Sequence, residues 1–376
     1  MIPIKHQKDI KLLVDGKDAF PRLVKRILNA KRTIHINIFI WRDDKTGNMI
    51  AGELLKAADR GVKIIISKDR LGAVLEKSEE NKQSLFHKPT SPVLWIKQKI
   101  VDFSYYNPGE PKSSRQKQNR LRRTFLQHRN IKVSKEKIKS DHSKYFIFDS
   151  RYLLTGGMNI SNRHHTCDLG GRIWNDYMIE MKGEIFIKTL LSRLNGKKNH
   201  KDSWFDFIIN SPNKGIYESK KTIIAELGKA KGQLIIQMAY FGDKDISQKI
   251  IDTANKGIET IIIIPKKANL QNDLNYKALK KIMLRTNSKV RLYACRNMMH
   301  AKMMLIDRKR LFLGSANFNS KMNGLGELDV LMTLNTTQQK KIMNSINRNI
   351  ADSVRIKHAK NIDYNRIKAF LEGLVR

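Results

Sequence analysis

The chain has 376 residues, 40% of them hydrophobic, and carries 73 Lys or Arg against 35 Asp or Glu, a formal charge of +38. This length accommodates about two ordinary domains with ample core, and the many Ile-rich runs exclude a wholly disordered chain. So large a cationic excess implies a polyanionic partner, either nucleic acid or an anionic membrane surface, because both attract basic faces through the same salt-screened field.

Cys167 and Cys295 are the only cysteines and form no CxxC or zinc-spaced cluster. Reduced thiols, no structural metal and no cofactor are expected. The longest apolar runs, such as TIIIIP at 260–265, are far too short to cross a bilayer. The chain therefore reads as cytoplasmic, soluble or peripheral to the cell membrane, without a transmembrane segment.

In chain order, a helix leads to an apolar strand within AKRTIHINIFIW at 30–41, followed by an amphipathic helix ending at Gly61 and a second strand in GVKIII. The stretch DHSKYFIFDSRYLLTGGMN at 141–159 then reads as a strand fronted by His142 and Lys144, with a return strand running into Gly156 and Gly157. In an extended chain, side chains two apart share a face, so His142 and Lys144 project together.

The second half repeats this order. AKGQLIIQMAYF at 230–241 matches the first strand, and IDTANKGIETII at 251–262 matches the helix ending at Gly257 and its strand. MHAKMMLIDRKRLFLGSANFNS at 299–320 places His300 on His142, Lys302 on Lys144, Asp307 on Asp149, Gly314 on Gly156 and Asn317 on Asn159. Helices alternating with short Ile/Val-rich strands predict an α/β fold of two repeats, each a mixed sheet flanked by helices. The repeats are assigned to residues 1–205 and 206–376 and are expected to be related by a pseudo-twofold axis, with the active site at their interface, as an internal pseudo-dimer in a monomer.

The first half carries an insertion at about 70–125. It contains Pro89, Pro92, Pro108 and Pro111 beside Trp95, Phe103, Tyr105 and Tyr106, and leads into the basic stretch 112–139. Rings interleaved with cations suit a membrane interface or a single-stranded nucleic acid; a solvated excursion with some aromatics packed on the core is the competing reading.

A His, a Lys and an Asn supplied twice suit a phosphodiester. Lys144, Lys302, Asn159 and Asn317 can neutralise and position nonbridging phosphate oxygens. One neutral imidazole can attack phosphorus while the other, protonated, gives its proton to the leaving oxygen. Gly156, Gly157, Gly314 and Ser315 let the backbone turn beside the phosphate. Asp149 and Asp307 complete the motif and enter the candidate catalytic set with it, although ending the strand and tying down the following turn is preferred to substrate contact. Asp176 in WNDYMIE and Glu327 in GLGELDV are candidates to orient the histidines, 34 and 27 residues from their motif His; an ordinary salt bridge is their alternative.

HSKYFIFDSRYLLTGGMN and HAKMMLIDRKRLFLGSAN resemble the two HxKxxxxD motifs, with trailing G[GS]xN, of the phospholipase D superfamily. The likeness is strongest to bacterial cardiolipin synthases, through IKLLVDGKDAFPRLVKRILNAKRTIHINIFIW, AADRGVKIII, GGMNIS followed by WND, SPNKG and AYFGDKDISQKIIDTANKGI. The resemblance implies metal-free phosphatidyl transfer through a phosphohistidine, with His142 as nucleophile and His300 as acid/base, two phosphatidylglycerol molecules giving cardiolipin and glycerol. An anionic phospholipid surface is then the expected partner. A nuclease of the same superfamily, acting on DNA or RNA, is the alternative. The insertion and the NSKMNGLGE stretch after GSANF depart from the family pattern.

Overall fold

The computed structural model describes residues 2–78, 85–86, 120–134, 140–167, 171–197, 204–320 and 322–374. The chain divides into two compact units, Lys8–Ser192 and Met1–Gln7 with Arg193–Arg376.

The first unit holds strands β1 (Ile10–Val14), β2 (Thr33–Ile38), β3 (Lys63–Lys68), β4 (Ile131–Val133), β5 (Tyr145–Phe148), β6 (Tyr152–Gly156), the two-residue β7 (Trp174–Asn175) and β8 (Tyr177–Lys182). Seven of them form one sheet in the order β1-β8-β6-β5-β2-β3-β4. Only the β2–β3 and β3–β4 pairs are parallel, so the sheet is mixed. The second unit holds β9 (Phe205–Ser211), β10 (Ile216–Tyr217), β11 (Gln233–Met238), β12 (Glu259–Pro265), β13 (Arg291–Cys295), the two-residue β14 (Met298–Met299), β15 (Lys302–Ile306), β16 (Arg310–Gly314), β17 (Glu327–Thr333) and β18 (Ser353–Ile356). Its sheet runs β10-β9-β17-β16-β15-β11-β12-β13-β18. Removing the edge strands β10 and β18 leaves the topology of the first unit, so the sequence repeat is a repeat of fold.

Local sequence explains the shared elements. The helices Lys45–Asp59 and Lys244–Asn255 begin at Asp44 and Asp243, whose carboxylates accept first-turn amides; such a cap contributes about 1 kcal/mol. Both helices end before a glycine with positive φ, 92° at Gly61 and 87° at Gly257, the left-handed exit that glycine adopts without steric cost. Ile50, Leu54 and Ala58 of the first, and Ile246, Ile250 and Ala254 of the second, sit in the cores with the Ile-rich faces of β2, β3, β11 and β12.

Asp149 and Asp307 close the β5–β6 and β15–β16 hairpins. Asp149 and Ser150 have φ of 51°, and Asp307 and Arg308 have 48° and 56°, the paired positive values of a type I′ turn, which Asp tolerates better than most side chains. The Asp149 carboxylate accepts the amides of Lys31, Arg32 and Thr33 at 2.8, 2.8 and 2.9 Å. Asp307 accepts those of Lys231, Gly232 and Gln233 at 3.1, 2.8 and 2.9 Å. Partial burial opposes ionisation of both groups, but the amide donors and the neighbouring Arg32 or Lys231 charge outweigh it and leave both carboxyls below the usual range. Each Asp thus ties its hairpin to the loop entering the adjacent strand, not to the turn that follows it. Because the folded pKa is depressed, this stabilisation is present above the unfolded Asp pKa and lost as pH falls through the folded one. Asp149→Ala should lower unfolding free energy at neutral pH by about 2 kcal/mol, and the difference from the parent should shrink in acid; equal urea midpoints at pH 7 would refute the role.

The insertion lies outside the described residues from 79 to 119, apart from Leu85 and Phe86, so Trp95, Phe103, Tyr105 and Tyr106 fall there too. Its described ends are the helices Arg70–Ser78 and Arg120–Gln127. Phe86 and Phe125 are buried, with ring centroids 4.9 and 6.4 Å from that of Trp41. Among the described residues, no helix is long and apolar enough to cross a membrane.

Candidate active site

Each motif places its histidine just ahead of an interior strand, β5 or β15, with the lysine two residues on. Lys144 and Lys302 are both wholly buried, and His142 and His300 are 9% and 4% exposed. A lysine at zero exposure is rare in a protein interior. In both units its ammonium bends back to donate to the main-chain carbonyl of the motif histidine, His142 or His300. Lys302 Nζ also lies 3.0 Å from His300 Nδ1. In the second unit the lysine and imidazole thus converge on one spot, as their shared strand face allows.

The surroundings differ between the copies. Phe39 meets the His142 ring edge-on at 4.8 Å, while Tyr240 stands perpendicular to His300 at 6.4 Å. Asp141, immediately before His142, accepts the Ser143 hydroxyl at 2.6 Å and the Asn37 amide at 3.2 Å, fixing the approach to β5. Asn159 uses its Oδ1 to accept the Ile40 amide at 3.2 Å. Asn317, 6% exposed, has a side-chain oxygen without a hydrogen-bond partner among the described residues. Turning that amide over would aim an N–H donor at the same place, the group an anionic oxygen needs.

The small residues have a steric reason. A Cβ on Gly314 would sit 2.3 Å from Asp329 Oδ1 and 2.4 Å from the Leu328 carbonyl; on Gly157 it would sit 2.4 Å from Asp176 Oδ1. Gly156, at φ 156°, passes the Tyr177 carbonyl equally closely. These positions are pressed against the neighbouring strand and its carboxylates. Ser315, which replaces Gly157 in the second copy, instead donates its hydroxyl to Glu327 and accepts the Leu328 amide at 3.0 Å.

Asp176 and Glu327 turn out to be counterparts. Gly156 pairs with Met178 and Gly314 with Asp329, so each candidate carboxylate stands two residues before the partner of its motif glycine. The unequal sequence distances reflect a shorter connector in the second copy. Both carboxylates are buried. Asp176 accepts the Tyr177 amide at 2.8 Å and lies 3.9 Å from His164 Nδ1.

Asp149 and Asp307 do not join this group. Each lies seven residues from its histidine along a largely extended stretch, about 20 Å away, with its carboxylate committed to three amides. In these bonds both act as anchors of their hairpins, the strand-ending role preferred from the sequence.

Two buried groups escaped the sequence reading. His164, beside Asp176, sits in NRHH, four residues after Ile160, with nothing in spacing to distinguish it. Asp329 lies in ELDV, two residues past Glu327 and hence on the same strand face. Burial, followed by the Glu327 charge, pushes its carboxyl up to about 7, against donation from the Ala316 amide and the Ser219 hydroxyl. A second acid, two residues after Glu327 in the same strand, was the available signal. In the first unit Met178 occupies that position. Both cysteines are free, and burial pushes the Cys295 thiol up to about 12, which leaves it inert.

Comparison with known proteins agrees with this picture. The family described as cardiolipin synthase, PLD-like domain, matches residues 23–170 and 223–352, one match in each unit. The chain is 23% identical to cardiolipin synthase 1 of Bacillus anthracis, over all of this chain and 72% of that protein. It is 23% identical to a cardiolipin synthase of Clostridium perfringens strain 13, over 83% of this chain and 64% of that one. In fold it is similar to phosphatidylserine synthase from Haemophilus influenzae Rd KW20, with a TM-score of 0.66, 14% identity, and coverage of 98% and 92%. Polyphosphate kinase from Porphyromonas gingivalis gives a TM-score of 0.54 at 13% identity, over 99% of this chain and 55% of that one. With the family matched across both repeats and the His-Lys device built in each, the chain belongs to the cardiolipin synthase, phospholipase D-like family and is an enzyme of the phospholipase D superfamily.

Proposed function

We propose that the protein is a phosphatidyltransferase that joins two phosphatidylglycerol molecules into cardiolipin, releasing glycerol, with both motifs acting on one phosphodiester. An imidazole nitrogen of His142 attacks phosphorus as the bond to the glycerol oxygen breaks, and His300 gives that oxygen its proton. His300, now neutral, takes the proton from the hydroxyl of a second phosphatidylglycerol; that oxygen attacks phosphorus and the phosphorus–nitrogen bond breaks. Lys144 and Lys302, with Asn159 and Asn317, neutralise the nonbridging oxygens, and Asp176 and Glu327 hold the imidazoles in their working orientation.

The observation that carries this reading is the pair of wholly buried lysines, each folded onto its motif histidine in a chain whose curated relatives include cardiolipin synthases. Ammonium groups held beside an imidazole suit a phosphate, whose nonbridging oxygens they would neutralise as it becomes a reactant. On this reading the protein works at the cytoplasmic face of the cell membrane as a peripheral enzyme.

The charge of +38 favours a second reading, a superfamily nuclease. The two are separated by incubating the purified protein, with chelator present, on phosphatidylglycerol vesicles and in parallel on DNA and RNA. Release of glycerol with formation of cardiolipin is expected. Degraded nucleic acid with no glycerol, cardiolipin or phosphatidic acid would replace the first reading by the second.

A further inference from the structure

The helix Arg366–Leu374 is packed the wrong way round for an ordinary surface helix. Its inward side carries Ala369 and Glu372, both 1% exposed, whereas Ile367 and Phe370 point outward at 74% and 60% exposure. Amphipathic helices normally turn the apolar stripe to the core, so a buried acid beneath two bared apolar side chains is the informative anomaly.

The orientation is fixed by specific bonds. Glu372 Oε2 accepts the Leu274 amide at 2.8 Å, and Lys368 reaches Asp273 at 3.6 Å. Asp273 also accepts the Asn365 amide at 2.7 Å, while Lys280 donates to the Ile362 carbonyl at 2.8 Å. The helix is thereby clamped to the helix Asn272–Arg285, and rolling it to hide Phe370 would strip Glu372 of its amide partner. Ile367 and Phe370, three residues apart, share one outward face.

We propose that this face docks on an anionic phospholipid bilayer, with Ile367 and Phe370 entering the headgroup–acyl boundary. Charge selects the partner: the segment leading into the helix, 355–366, exposes Arg355, Lys357, Lys360 and Arg366 against Asp363 as its exposed acid. Exposed apolar side chains following a cationic segment match an anionic interface, where hydrophobic insertion and electrostatic attraction act together. Two side chains on one helical turn cover far less than the roughly 800 Å² that each partner of a stable protein interface buries, which argues against a second copy as the occupant. The surface uses no residue of the His-Lys motifs.

The test is the partition of the full chain onto vesicles of phosphatidylglycerol and phosphatidylcholine, compared with phosphatidylcholine alone. The double variant Ile367→Ser/Phe370→Ser should lose at least about tenfold in partition to the anionic vesicles with its thermal midpoint unchanged, since both side chains are already in solvent. Phe370→Trp should add an emission that shifts to the blue when anionic vesicles, but not zwitterionic ones, are mixed in. Unchanged partition of the double variant, or an unshifted added tryptophan, overturns the proposal. So does a wild-type dimer that the double variant dissolves while vesicle binding persists. Partition involves no turnover, so the result stands whether or not the enzyme transfers phosphatidyl groups.

Discussion

His142→Ala and His300→Ala should each cut turnover on phosphatidylglycerol vesicles by at least about a thousandfold. Each imidazole performs a step that the other is in the wrong protonation state to perform, so the double variant should be scarcely worse than either single one. Unfolding would not explain the loss. The Lys144 ammonium donates to the His142 main-chain carbonyl, which alanine retains, and Phe39 meets the ring by an edge contact that alanine gives up. Thermal midpoints close to that of the parent should accompany the kinetic collapse. Activity above about one per cent in either single variant would sink the two-histidine scheme.

Gly314→Ala should destabilise the second unit by about 3 kcal/mol or more, a large change for one methyl group. Its Cβ would fall within 2.4 Å of a backbone carbonyl and of the Asp329 carboxylate, neither of which is the free end of a flexible chain. Strand β17 would have to part from β16, dragging Glu327 and the Ser315 bond with it. Gly52 supplies the control: an added Cβ there meets nothing within 4 Å, so Gly52→Ala in the helix Lys45–Asp59 should be neutral or stabilise by up to about 1 kcal/mol. Urea midpoints measured on both variants decide the matter, and a Gly314→Ala protein as stable as Gly52→Ala would contradict the close-packing account.

These outcomes show what the sequence made legible. The repeat was readable because one backbone plan written twice leaves matching punctuation, and Gly61 and Gly257 sit where two helices leave by the same left-handed turn. The His-Lys pairs were readable because period-two geometry fixes which side chains meet. Asp149 and Asp307 looked catalytic only through membership of the motif; their partners are main-chain amides more than 100 and 70 positions away respectively, which no local pattern records. The equivalence of Asp176 and Glu327 was hidden by a connector of different length and appeared only in strand register. His164 and Asp329 owe their character to burial. The outward face of Arg366–Leu374 depends on Glu372 finding the Leu274 amide, a long-range choice that the helix's own periodicity argues against.

The chemistry is tested most directly by trapping the intermediate. Phosphatidylglycerol labelled at phosphorus is mixed with the protein, the reaction is stopped in alkali, where phosphohistidine survives, and the labelled peptide is identified. The account predicts label on the peptide containing His142, acid-labile and absent from His142→Ala. Turnover of the lipid with no label on the peptide of either His142 or His300 would contradict it.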